Sequence, residues 1–162
     1  MVDELLARAE RSLEVAGLRP RCRALAVDLV YRLVPSARVF GLDVRWLIVG
    51  RDPERASRES RADRAAACGF KPELVRGGQD EEVVRHVVAS AAAVLMRRRW
   101  LVFVANLVDH IQGWFHASAV ESKAEISGNR AGLEAGAILE ALLNGKLSRA
   151  AARKALLQLL CE

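Results

Sequence analysis

A chain of 162 residues, 52% apolar and 28% charged, fits one compact domain with a sizeable core and leaves little room for a second. Four prolines and 5% aromatic residues, among long runs of alanine, leucine and arginine, favour helix over sheet and make the fold class mostly α, a compact multi-helix bundle. The net charge of +5 makes only a weak case for nucleic acid because acids are interspersed with the arginines, and no apolar run reaches the roughly 20 residues of a membrane span.

Residues 1–75 are expected to supply N-terminal helices and residues 76–162 the helices that carry polar motifs. Val2 to Ala16 places Leu5, Leu6, Ala9, Leu13 and Ala16 at helical spacing, opens with Asp3 and Glu4, and stops at Gly17. Pro20 suits the first turn of a second helix, in which Leu25, Leu29, Val30 and Leu33 recur until Pro35 closes it. Residues 38–50 combine β-formers with Gly41 and Gly50, so they read equally as a short β-hairpin or a buried helix. Asp52, Pro53 and Glu54 start a helix that runs to Cys68, with a charged face of alternating sign.

Asp80, Glu81 and Glu82 form an acidic helix start, and Val83, Val84, Val87, Val88, Ala91, Val94 and Leu95 then give a broad apolar arc. His86 borders that arc, in line with Ser90 and Ala93. The next segment, Trp100 to His116, sets Asn106, His110 and Gly113 on one stripe and Asp109, Gln112 and His116 on its neighbour. An unbroken helix from Glu81 to His116 would hold His86 and His110 roughly 36 Å apart at 1.5 Å per residue. A reversal is expected between Met96 and Leu101, where Arg97 to Arg99 suit a helix C-terminus and an exposed turn.

Glu121 to Leu143 reads as one helix with Glu121, Glu125, Asn129, Gly132, Gly136, Leu139 and Leu143 along a single line. The leucines make the lower half of that line core, so Glu121, Glu125 and Asn129 are expected to face the interior or a cleft beside it, and Gly132 and Gly136 to admit another helix closely. Gly145 ends the helix, and Ser148 caps a last one carrying Ala152, Leu156, Leu159 and Leu160. Cys22, Cys68 and Cys161 lack metal-site or disulfide-framework spacing and are expected as buried free thiols. With no signal peptide visible, the expected location is the cytoplasm.

The polar residues that do not fit a solvated face are Arg85, His86, Asp109, His110, Glu121, Glu125 and Asn129. A histidine beside a carboxylate can act as general base, with arginine steadying an anion, and two imidazoles with a carboxylate can hold a divalent metal. Asp80, Arg85, His86, His110, Glu125, Asn129 and Gly132 together give a pattern that resembles a group of small helical bacterial domains found alone, in phage-like genes and at the C-termini of polymorphic toxins. The chain departs from that group in carrying Asp109-His110 where members have His-Glu, and Glu125 where many have Asp. The resemblance implies a buried, enzyme-like polar site in a helical bundle and a hydrolytic effector.

In the first functional reading, His86, His110 and Glu125 are catalytic, while Arg85, Asn129 and Asp109 hold substrate. The cofactor is unknown, a divalent metal being the candidate. The rival reading is a non-enzymatic helical adaptor or assembly subunit, in which the same residues form a buried network that fixes helix register. Partners are unidentified and include a protein partner or a second copy of the chain.

Overall fold

The computed structural model describes residues 1–34, 38–39, 42–50, 69–75, 80–115 and 119–161. Within these, the helices are α1 (Val2–Ser12), α2 (Leu18–Leu33), α3 (Val44–Val49), α4 (Pro72–Val75), α5 (Asp80–Leu95), α6 (Trp100–Phe115), α7 (Ala119–Leu143) and α8 (Arg149–Leu160). The helix expected from Asp52 to Cys68 lies outside the described residues. Residues 38–50 hold both of the expected alternatives in succession. Two-residue strands β1 (Arg38–Val39) and β2 (Leu42–Asp43) pair antiparallel, Arg38 opposite Asp43, and α3 follows at once.

The first helix is shorter than its periodicity suggests. It ends at Ser12, whose hydroxyl donates to the Arg8 carbonyl at 3.1 Å, and Leu13 to Ala16 lie exposed with no face to bury. Gly17, at φ 87°, then turns the chain into α2, where Pro20 occupies the first turn. Arg8 is buried between these two helices and donates to Asp28 Oδ2 at 2.7 Å while also pairing with Glu4. Asp43 caps α3 by accepting from the Arg45 amide at 2.9 Å. The buried Arg45 guanidinium pairs with the same carboxylate and lies over the Tyr31 ring, 5.3 Å from its centroid.

One apolar core runs through the bundle, from Leu5, Leu6, Leu25 and Leu29 to Leu139, Leu143, Leu156 and Leu160, all almost fully buried. Burying each such leucine contributes about 1.5–3 kcal/mol, so this shared core outweighs any exposed ion pair in holding the helices together. The C-terminal helix α8 starts at Ser148, whose hydroxyl accepts from the Ala151 amide at 3.2 Å, and returns to α1 through Arg153–Asp3 and Arg149–Glu10.

Its end corrects the reading of the cysteines. Cys22 is a buried free thiol that burial pushes above its ordinary titration range, whereas Cys161 is disulfide-bonded. Sequence spacing gave no sign of that bond because tertiary folding creates the neighbourhood. Phe70 and Cys161 form an antiparallel bridge, and the Lys71 amide donates to the Leu160 carbonyl at 3.1 Å. Cys68 lies outside the described residues.

The long apolar stretch between Asp80 and Phe115 is broken where its arginines fall. Arg97 sits at φ 56°; its amide donates to Val94 and that of Arg98 to Ala93, which closes α5 with the paired bonds usually built on glycine. The Arg98 guanidinium then donates to the Leu47 carbonyl at 2.7 Å and the Ile48 carbonyl at 3.2 Å, tying the turn to the end of α3. From this turn α6 runs back, and α7 returns alongside α5 in the same direction as α5.

The parallel pairing of α5 and α7 is unusually close because of three glycines at four-residue spacing. A β-carbon on Gly128 would lie 3.2 Å from His86 Cβ, one on Gly132 2.6 Å from both Ser90 Cβ and the Val87 carbonyl, and one on Gly136 2.7 Å from Val94 Cβ. Successive i, i+4 positions on the two helices thus meet in step, the geometry in which ridges of one helix seat in grooves of the other. The expected close approach at Gly132 and Gly136 is present, and Gly128 extends it toward the polar half.

Gly132→Ala should destabilise the chain by about 1–3 kcal/mol in denaturant melts, because the backbone of α5 cannot yield as a flexible side chain could, and this exceeds the roughly 1 kcal/mol of helix propensity gained. Gly128→Ala, whose new methyl meets only a side chain at 3.2 Å, should cost less than Gly132→Ala in the same measurement.

Candidate functional site

The polar residues of α5, α6 and α7 meet where the glycine stripe ends. Asn129 follows Gly128 on α7 and is 3% exposed, as is Ser90 on α5, so both must satisfy their polar atoms inside the protein. Asn129 Oδ1 accepts from Ser90 Oγ at 3.1 Å and lies 3.1 Å from His86 Nδ1, while its Nδ2 donates to Asn106 Oδ1 of α6 at 2.8 Å. One amide therefore joins three helices. With the Asn129 amino group on Asn106 and its oxygen facing His86, the matching imidazole tautomer is the one with its proton on Nδ1.

That assignment leaves His86 Nε2 as the acceptor of the neutral ring. Two charged groups flank it: Arg85 Nη2 at 3.5 Å and Glu125 Oε1 at 3.8 Å. Burial grades outward along this chain of contacts, from the sealed Asn129 and Ser90 to a His86 side chain 18% exposed and a Glu125 side chain 31% exposed. The inner edge of the imidazole is held, and the His86 side chain as a whole is not sealed from solvent.

The approach expected between Glu125 and a histidine is therefore made with His86. Arg85, His86, Glu125 and Asn129 are brought together from two helices. Asp109 and His110 belong to α6, but their side chains lie outside the described residues. Ser90 and Asn106 are members of the cluster that sequence reasoning did not assign to it. Their positions in line with His86 and His110 on the helical stripes were the available signal, but both residue types are common on ordinary helix surfaces.

Among the described residues no group of three or more His, Cys, Asp or Glu side chains is placed to hold a metal ion. His86 and Glu125 could supply two ligands. Among the described residues, too, no helix is long and apolar enough to cross a membrane. Comparison with known proteins found no matching family model, no matching curated protein and no matching solved structure.

Asn129→Ala would strip His86 and Ser90 of their shared acceptor and Asn106 of its donor, and should cost on the order of 1–3 kcal/mol for groups left unmet in a buried site. Nitrogen-15 shifts of His86 should report the Nδ1–H tautomer in the wild type and a mixture of tautomers in Asn129→Ala.

Proposed function

We propose that the chain is a helical hydrolase-type effector in which His86 is the general base. The observation that supports this best is the placement of one imidazole between a buried amide and two charged side chains. Nδ1 is oriented by an amide that Asn106 in turn contacts, while Nε2 lies between a cation and a carboxylate. Nε2 would take the proton of an attacking water, Glu125 would stabilise the imidazolium so formed, and Arg85 would hold the anionic part of the substrate. Asn129 serves as orienter rather than as a substrate contact, since it is sealed beneath the ring. The resemblance to helical effector domains of bacteria and phages supports the same reading. His110 and Asp109 remain candidates for the substrate side of the site, and a divalent metal a candidate cofactor.

The Cys161 disulfide favours an oxidising compartment over the cytoplasm that the sequence alone suggests, and an effector that leaves the cell meets that condition. A second reading, an adaptor whose polar network fixes helix register, is favoured by the way Asn129 bridges three helices. The two readings differ in what they ask of His86 Nε2, which a register network does not use.

The test is hydrolysis of p-nitrophenyl acetate, p-nitrophenyl phosphate and bis(p-nitrophenyl) phosphate by wild type, His86→Gln and Glu125→Gln, each checked for an unchanged melting curve. Turnover of at least one ester is expected, falling about 10²–10⁴-fold in His86→Gln. Equal rates in wild type and His86→Gln, including no turnover by either, would leave the register reading standing.

A further inference from the structure

The first half of α6 turns an apolar face to solvent. Trp100, Phe103, Val104 and Leu107 are 62%, 71%, 43% and 50% exposed, and their i, i+3, i+4, i+7 spacing makes them one stripe. The helix is held to the protein by its other sides, through buried Val102 and through Asn106, which accepts from Asn129. Single exposed apolar residues are ordinary, but a contiguous stripe led by two aromatic rings marks a surface that is covered in use.

The charge around the stripe selects what covers it. Arg97 and Arg99 are exposed immediately before Trp100, and the sequence from Met96 to Val108 contains no acidic residue. A second copy of the chain would bring the same cations to the contact. Tryptophan and phenylalanine beside arginine suit the boundary between lipid headgroups and acyl chains.

We infer that α6 docks flat on a bilayer surface carrying anionic headgroups, with Trp100 and Phe103 entering the headgroup–acyl boundary and Arg97 and Arg99 engaging the headgroup charges. The helix lies on the membrane and does not span it. This assignment does not use the chemistry at His86, whose ring contacts Asn129 and whose β-carbon faces Gly128.

The experiment is co-sedimentation of the full chain with vesicles of phosphatidylcholine alone or of an equal mixture with phosphatidylglycerol, at low and high salt, with light scattering in parallel to give the oligomeric state. The variants are Trp100→Ser with Phe103→Ser, and Arg97→Asn with Arg99→Gln, asparagine being chosen for its tolerance of the left-handed backbone at position 97. Wild type should pellet with the anionic vesicles and not with phosphatidylcholine alone. The aromatic variant should lose that binding at either salt, and the arginine variant should weaken it roughly fivefold per arginine at low salt only. The proposal fails if wild type does not distinguish the two vesicles. It fails equally if wild type is a dimer that the aromatic variant dissociates, because the stripe then belongs to a second copy.

Discussion

Everything polar in the centre of this bundle depends on how closely the backbones of α5 and α7 approach. Gly128, Gly132 and Gly136 remove the side chains that would hold the two helices apart, and the Val87 and Ala91 carbonyls occupy the vacated space. Glycine at three positions of one helix sacrifices roughly 1 kcal/mol of propensity at each, a cost recovered only if the close contact itself stabilises the fold. The parallel direction of the pair matters as much as its closeness. With α6 as the return segment between them, residues 42 apart in sequence face each other along three successive turns.

The polar cluster follows from that contact. With Gly128 against His86 and Gly132 against Ser90, the residue between them, Asn129, faces the seam, where neither water nor an apolar neighbour can satisfy its amide. Its three contacts are then complementary: two donors reach Oδ1 and one acceptor reaches Nδ2, so every partner is satisfied with the amide oriented this way. A side chain constrained to one orientation imposes one tautomer on the imidazole beside it. The chemistry proposed for His86 thus has its physical origin in the glycines, several steps removed from any catalytic group.

The outer elements serve different ends. Arg98 ties the turn before α6 to the carbonyl end of α3, which sets the direction in which α6 leaves and leaves Arg97 and Arg99 at the surface. The two ends of the chain are fastened by α8, whose arginines reach Asp3 and Glu10 of α1 and whose final residues bridge to Phe70 and Lys71. The core beneath is continuous, so the ion pairs on these outer faces set arrangement more than stability.

Helix by helix, much of this was legible in the sequence because the relevant forces are local. The apolar spacing of α2, α5 and α7, the serine cap of α8, the glycine stop after α7 and the arginine-rich break before α6 each act within a few residues. The inward placement of Asn129 and the packing role of Gly132 and Gly136 also followed from sharing a helical line with Leu139 and Leu143, whereas Glu125, on the same line, stays part-exposed. The early end of α1 was not legible, since whether Leu13 to Ala16 stay helical depends on having something to bury against. Neither was the Cys161 disulfide, which needs a partner brought to it by the tertiary fold. Nor were Asn106 and Ser90 as partners of Asn129. Periodicity places a side chain on a face, but which faces meet, at what depth and in which direction is decided by the packing of whole helices. Only that packing turned a buried asparagine and a histidine 43 residues away into one hydrogen-bonded site.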